Sequence, residues 1–343
     1  MTTALTALPE SRVPDPRDAP PVRWGILGPG WIASQFAAAL RRHTRQELAA
    51  VASRSPERAA AFAAEYGIPR AYGSYAELVG DPDVDIVYVA TPHSEHHRQA
   101  LMAIEAGKSV LVEKAFTRTA AEAAEVAAAA GKAGVFAMEA MWTRFLPHID
   151  VLRQLVTDGH LGEVMVVTAD HGQYFAPDPH HRLYAPELAG GALLDLGIYP
   201  ISFAAMVLGA SPDEITSTGS LAFTGVDAQS AVTLRYGDAV AQVGTTLLAR
   251  TPTVAAVSGT VARVELAADF YTPTELTYVH RDGARLVRPD GDTIRGHEGL
   301  CYQAAHAATL ITEGATESPL LPLAETTAIL AIIDEIRTHL GAP

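Results

Sequence analysis

The chain has 343 residues, a length too great for one simple core and suited to two domains, and its 48% hydrophobic and 19% charged residues are a globular composition. A formal net charge of −14 opposes nucleic acid and anionic membranes as partners, since both attract basic surfaces. The single cysteine, Cys301, excludes an intrachain disulfide and a cysteine-based metal site. The longest apolar stretch, 192–210, is interrupted by Asp195, Gly197 and Pro200 and reads as a buried helix rather than a membrane span. The first twenty residues lack a basic start and a continuous apolar core, so the expected location is the cytoplasm.

Residues 1–21 carry Pro9, Pro14, Pro16, Pro20 and Pro21 among small and charged residues and are expected to form a disordered or loosely attached leader. From Val22 the pattern is strand, glycine turn, helix, repeated. Strands are predicted over 22–27, 47–52, 84–90, 109–112 and 135–141. Between them come helices over 31–42, from Ser55-Pro56 to Gly67, from a Ser94 cap to Gly107, and over 119–132. Such alternation implies parallel βαβ units, an α/β Rossmann domain with a doubly wound sheet over 22–143. The boundary falls near Trp142 and Phe145.

Residues 144–343 read as an α+β domain with a large, mostly antiparallel sheet. A helix over 147–157 and a strand over 164–169 precede a loop, 171–188, rich in histidine, proline and aromatics. A buried helix over 192–208 follows. Strands between 215 and 287 are joined by turns such as Tyr236-Gly237-Asp238 and Asp282-Gly283, and helices over 297–312 and 324–340 end the chain. The stretches 239–248 and 254–266 are apolar on both faces, which leads to the expectation of a homodimer, or a dimer-based oligomer, through this sheet.

GILGPGWIA, Gly25 to Ala33, lies where the first strand meets a helix, and Gly28-x-Gly30-x-x-Ala33 fits the dinucleotide fingerprint with alanine at its third position. Gly28 permits the tight turn, Gly30 lets a pyrophosphate approach the backbone, and Ala33 allows close helix–sheet packing. Trp31 and Ile32 open the helix whose N–H groups and dipole would hold the anion. The second strand normally ends in a carboxylate for the ribose hydroxyls; here it ends in Ser53, Arg54 and Ser55. An arginine and two hydroxyls suit a 2′-phosphate, so NADP is expected over NAD, while Ser55 also reads as a helix cap.

Three further segments carry chemistry. SVLVEKAF places Glu113 and Lys114 at the carboxyl edge of a parallel strand, where open α/β sheets bind ligands, although a lysine there is ordinarily a surface residue. TPHSEHH, Thr91 to His97, lies at the edge of the neighbouring strand. In GGALLDLGIYP, Asp195 and Tyr199 stand at i and i+4 and share one helix face. A carboxylate in so apolar a helix needs a partner: either it is structural and locally paired, or its face turns towards Lys114. His93, His96 and His97 have metal-like spacing and His180-His181 adds two more, yet no carboxylate ligand set accompanies them, and no metal site is expected.

The combination resembles the glucose–fructose oxidoreductase / inositol dehydrogenase / MocA (Gfo/Idh/MocA) family over the whole chain after the leader. The family's Glu-Lys-Pro motif matches Glu113-Lys114 with Ala115 for proline, and its Pro-Asn-x-x-His motif matches Pro92 to His96 with His93 for asparagine. Its Gly-x-x-x-Asp-x-Gly pattern matches Gly191, Asp195 and Gly197. EAMWTRFLP, Glu139 to Pro147, and HRLYAPELAGGALLDLGIYP, His181 to Pro200, are similar to the dimeric dihydrodiol dehydrogenase branch, which includes NADP-dependent D-xylose 1-dehydrogenases and carries tyrosine at Tyr199. The resemblance implies that Lys114 binds the reacting oxygen, Tyr199 is the acid/base and Asp195 orients them. It places Thr91, Pro92, His93 and His96 with Glu113 and Lys114 at the cofactor, and Trp142, Arg144, Phe175, Arg182 and Tyr199 at the substrate. Free tyrosine, near pKa 10, is a poor base unless a cation lowers it, and Lys114 is the candidate cation.

The implied activity is NADP-dependent hydride transfer from a sugar or cyclic diol hydroxyl, with a small-molecule substrate. Two alternatives stand beside it. A non-catalytic Rossmann sensor would not need Lys114, Asp195 and Tyr199 together. A glycoside hydrolase with permanently held NAD would not need Ser53-Arg54.

Overall fold

Short apolar strands separated by capped helices leave one efficient solution, parallel pairing with helices on both faces. The computed structural model describes residues 5–290 and 293–342. Two compact units emerge: Pro14–Trp142 with Gly296–Thr327, and residues up to Val13 with Thr143–Arg295 and the chain from Ala328.

In the first unit the strands are β1 (Arg23–Leu27), β2 (Glu47–Ala52), β3 (Arg70–Tyr72), β4 (Ile86–Val89), β5 (Ser109–Val112) and β6 (Ala137–Glu139). Among the described residues they form one six-stranded parallel sheet in the order β3-β2-β1-β4-β5-β6. The order reverses between β1 and β4, the crevice where doubly wound sheets take ligands. The helices are α1 (Trp31–His43), α2 (Pro56–Tyr66), α3 (Tyr75–Val79), α4 (His93–Glu105) and α5 (Ala120–Ala133). Ser55 caps α2, Ser74 forms a capping box with Glu77 on α3, and Thr119 caps α5. α4 departs from the sequence expectation: it starts at His93 after Pro92, so Ser94 lies inside its first turn rather than capping it. β3 and α3 were not expected, being too short for a periodicity to register.

The second unit holds α6 (Pro147–Thr157), β7 (Val164–Gly172), α7 (Ile198–Leu208), β8 (Glu214–Leu221), β9 (Asp227–Tyr236), β10 (Ala239–Thr246), β11 (Ala255–Gly259), β12 (Ala262–Leu266), β13 (Leu276–His280) and β14 (Arg285–Arg288). Among the described residues these strands make an eight-stranded sheet in which only β7 and β10 pair in parallel. α7 continues a π-helical turn, Leu193–Gly197, rather than the uniform α-helix expected from residue 192. The segment Pro186–Leu208 is long and apolar enough to cross a membrane by length and composition, and 83% of that window is buried inside the protein. The expected apolar outer face differs too. Gln229, Thr233, Arg235, Gln242 and Arg263 are exposed, and residues 254–266 are two strands of a hairpin rather than one.

Two boundaries are corrected. Residues 296–327, expected in the second domain, belong to the first unit. There α8 (Leu300–Thr312) follows a 3-10 turn, Gly296–Gly299, whose Glu298 carboxylate meets Arg42 at 2.5 Å and buried His43 at 3.3 Å at the end of α1. Thr316 extends the sheet edge by accepting the Ala137 N–H at 3.0 Å. α9 (Leu323–Leu340) then runs on into the residues of the second unit.

The leader is also not loose where it is described. Residues 1–4 lie outside the described residues, but Asp150 on α6 accepts the Arg12 backbone N–H at 2.7 Å and its guanidinium at 2.8 Å. In the first unit Arg45 donates to the Arg17 carbonyl at 2.6 Å. Burial pushes the Asp150 carboxyl up, but the Arg12 side chain and N–H outweigh it and hold it below the usual carboxylate value. A depressed carboxylate contributes stability above its unfolded pKa and loses it as the pH falls through the folded one. Arg12→Ala should therefore lower stability at pH 7 by about 1 kcal/mol, a modest figure because Arg12 is exposed to solvent. The difference in melting should close as the pH falls to the acid side of the carboxylate range. Identical melting at pH 7 would show that this contact does not hold the segment.

Candidate active site

The glycine turn at the end of β1 does what its spacing predicts. Gly28 has φ +87°, and a Cβ there would lie 2.7 Å from the Thr91 methyl and 3.0 Å from the Ala90 carbonyl oxygen. A Cβ on Gly30 would meet nothing within 4 Å, so the backbone stands open there. Gly30 is the N-cap of α1 and gives it no side-chain cap, and the first turn carries no acid. The N–H groups around Trp31 and Ile32 thus remain for an anion, unlike those of α2, α3 and α5, and the turn fits a dinucleotide pyrophosphate. Trp31, 65% exposed, meets the His297 ring edge-on at 4.8 Å, and buried Trp142 stacks on the same histidine at 5.5 Å. Trp142 therefore belongs with the cofactor-binding unit, and His297, brought in by the returning segment, is a neighbour sequence reading missed.

At the end of β2, Ser53 is buried and its Oγ accepts the Ser55 N–H at 3.2 Å. Ser55 Oγ accepts the Arg58 N–H at 3.3 Å and donates to Glu57 Oε2 at 2.7 Å, a bond that holds Glu57 below the usual carboxylate value. A carboxylate does therefore stand near this strand end, contrary to the sequence expectation. Arg54 is exposed, and Arg58 reaches across to the Pro29 carbonyl at 3.4 Å, adding a second cation that the sequence reading overlooked.

The third group lies where β5 ends. Backbone from Lys114 to Phe116 has left the strand ladder and is held by side chains instead. Glu113 accepts the Lys114 N–H at 3.3 Å and also the hydroxyl of fully buried Tyr88. His93 Nε2 donates to the Lys114 carbonyl at 3.2 Å. His96 faces the Ala115 carbonyl through Nδ1 and the Thr91 carbonyl through Nε2, each at 2.8 Å. Burial pushes the His96 pKa down, against the opposing pull of the carbonyls that face its ring. Glu139, at the end of β6 and 1% exposed, accepts the Phe116 N–H at 3.1 Å and the Thr326 hydroxyl at 3.2 Å. The Lys114–Ala115 peptide is cis. Pro92 opens α4 without a side-chain cap, and Thr91 Oγ1 donates to Gln99 at 2.8 Å. Lys114 itself is half-buried.

In the second unit Asp195 sits in the π-helical turn, buried, with Arg182 Nη1 at 3.1 Å from its Oδ1. Arg182 and Phe175 belong to the loop between β7 and that turn. Phe175 packs on Leu183, Tyr184, Ala192, Leu196 and Leu247, and its carbonyl accepts the Tyr184 hydroxyl at 2.8 Å. Tyr199, the second residue of α7, is buried among rings: His171 at 5.2 Å and Tyr271 at 4.9 Å, which stack on each other at 4.5 Å. The Gln173 side-chain amide meets His171 Nε2 at 3.0 Å. Neither His171 nor Tyr271 was singled out from sequence. Buried Arg144 donates to Ser202 Oγ at 3.0 Å and to the Ser202 carbonyl at 2.7 Å, so it supports α7 one turn beyond Tyr199.

Known proteins resemble the chain along both units. Residues 22–141 match the Gfo/Idh/MocA oxidoreductase family, NAD-binding Rossmann fold, and residues 149–265 match the C-terminal domain of that family. The trans-1,2-dihydrobenzene-1,2-diol dehydrogenase of Bos taurus is 38% identical over 327 residues, 93% of this chain and 97% of its own. That of Homo sapiens is 37% identical over 326 residues with the same coverage, 93% and 97%. Among solved structures, an aldose-aldose oxidoreductase from Caulobacter crescentus, complexed with glycerol, superposes with a TM-score of 0.81 at 28% identity, covering 94% of this chain and 98% of that one. A 3-ketoreductase from Actinomadura kijaniata in complex with NADP and TDP-benzene gives 0.79 at 25% identity, covering 93% and 98%.

Proposed function

The chain belongs to the Gfo/Idh/MocA oxidoreductase family and is an NAD(P)-dependent dehydrogenase acting on hydroxyl groups, and from that premise we propose that it uses NADP to oxidise a sugar or cyclic diol. The observation that carries the proposal is the grip on residues 114–116. The backbone that carries a half-buried lysine is fixed by four polar side chains at the carboxyl edge of the sheet, the same edge at which α1 starts without a side-chain cap. The bound nicotinamide would supply the hydride acceptor. Lys114 would hold the substrate oxygen, and Tyr199 would take the hydroxyl proton as the C–H electron pair leaves with the hydride. Asp195, neutralised by Arg182, would orient that oxygen. Phe175 and Arg182 would border the substrate. A panel of pentoses, hexoses, sugar phosphates and cyclic diols, including trans-1,2-dihydrobenzene-1,2-diol, with reduced-cofactor absorbance as readout, tests the substrate class. No reduction of either cofactor by any of these would refute it.

NADP is favoured by Arg54 and by Arg58, the latter leaning over the glycine turn. Glu57 opposes a 2′-phosphate, but Ser55 already binds its carboxylate. An arginine–phosphate contact is charge-assisted, worth roughly 1.5–3 kcal/mol or about ten- to a hundredfold in affinity. Ser53→Asp with Arg54→Ala should shift kcat/KM towards NAD. Equal or better efficiency of the wild type with NAD would contradict the assignment.

If Tyr199 carries the proton, Tyr199→Phe should lower turnover by roughly 10²–10⁴-fold while cofactor still binds. Lys114→Met should abolish most turnover, and the double variant should be little worse than the worse single one, because the two act as a unit. Near-normal turnover in Tyr199→Phe would move the acid/base role to Asp195 or His96.

We also infer pairing of two chains through the outward face of the eight-stranded sheet, where Ala231 on β9 and Val287, 49% exposed, on β14 lie among the exposed polar side chains of Gln229, Thr233, Arg235 and Gln242, so that the contact would be a mixed polar and apolar one. Sedimentation at micromolar concentration should give a dimer or a multiple of it; a monomer would contradict this.

A further inference from the structure

The π-helical turn that carries Asp195 and leads into Tyr199 begins at Ala192, which has no side chain able to cap it. Its first N–H groups lie inside the second unit, where an unpaired donor is costly. Asp227, the first residue of β9 and 2% exposed, supplies what the turn lacks: its Oδ2 accepts the Leu193 N–H at 2.6 Å. Gly191, at φ +120°, passes so near that a Cβ there would stand 2.2 Å from Asp227 Oδ1. Only glycine admits both that φ and that contact. Thr245 on β10 holds the opposite polarity. Its hydroxyl donates to the His171 carbonyl at 2.9 Å and lies 3.5 Å from the Ala192 carbonyl, while its methyl fills the space beside Gly197.

We propose that Asp227 is a positioning residue for the dehydrogenase chemistry: its carboxylate, from a separate strand, caps the turn Leu193–Gly197 and thereby fixes where Asp195 and Tyr199 stand. The functional part rests on the roles proposed above for those two residues; the capping part does not. Burial pushes Asp227 up to about 7, against the pull of the Leu193 N–H and of Arg337, the charged side chain that faces it from α9. The cap therefore changes charge near neutrality. With its folded value above the ordinary one, this group lowers stability as the pH rises from the carboxylate range to about 7. Its hold on Leu193 strengthens over the same range, because a charged acceptor makes the stronger bond.

Asp227→Asn keeps the size and one acceptor oxygen but cannot ionise. Hydrogen exchange of the full chain reads the cap directly. At pH 8 the amides of residues 192–199 should exchange about tenfold faster in the variant, the loss of one charge-assisted bond. The difference should narrow at pH 6, where the wild-type carboxyl is protonated, and NADP⁺ binding followed by fluorescence should be unchanged. With a substrate from the panel, kcat should fall about tenfold at an unchanged KM for NADP⁺. Gly191→Ala, which presses on the same carboxylate, should raise exchange in the same segment and keeps the test open if Asp227→Asn does not fold. Unchanged exchange in both variants would overturn the cap, and faster exchange with unchanged kcat would overturn positioning. Faster exchange in a protein whose wild type reduces neither NADP⁺ nor NAD⁺ would leave the cap standing and refute the dehydrogenase reading.

Discussion

After Glu113, whose N–H still pairs with the Val89 carbonyl of β4 at 3.0 Å, the backbone leaves the strand ladder until α5 starts at Ala120, yet much of it is buried. Buried peptide groups must be paired, at a cost of about 1–3 kcal/mol for each one left open. Side chains from β5, β6 and α4 perform that pairing for residues 114–116. This constraint explains why two carboxylates, Glu113 and Glu139, and two histidines, His93 and His96, are buried in one place. Each is matched to a backbone donor or acceptor of defined polarity, so the acids take N–H groups and the imidazoles take carbonyls. Lys114 is then presented by a backbone with little freedom to move, which is what a group that must hold a reacting oxygen requires.

The second unit solves a related problem in an apolar helix. α7 and the turn before it are buried almost throughout, so each polar group they carry needs a partner from elsewhere. Arg182 neutralises Asp195, Arg144 takes the Ser202 hydroxyl and carbonyl, and Asp227 takes the Leu193 N–H. Tyr199 packs against the rings of His171 and Tyr271. A helix held at its start, at its acid and one turn past its tyrosine keeps the orientation of that tyrosine fixed.

Much of this was legible in the amino-acid order because it is local. Alternation of β-branched runs with alanine-rich helices gave the parallel sheet. The Gly28–Ala33 spacing gave the turn, and Ser55-Pro56 and Thr119 gave two helix starts. What escaped was of three kinds. β3 and α3 have three and five residues, below the length at which a period can be counted. Glu139, His171, Asp227, Thr245 and Tyr271 act through contacts distant in sequence, and Glu298 reaches Arg42 across 256 positions. Glu57 and Arg58, by contrast, were in view: both lie in the first turn of α2, where their charges should have been weighed with Arg54. The leader shows the opposite error, since proline-rich composition says nothing of a single arginine finding a buried aspartate.

Direct hydride transfer is the central claim, and isotopic transfer tests it most directly. A substrate of the panel, deuterated at the carbinol carbon, should deliver its label to the nicotinamide ring of the oxidised cofactor, with none passing to solvent. Slower turnover of the labelled substrate would accompany chemistry that limits the rate. Label found in water, or product formed with no reduced cofactor released, would contradict the account.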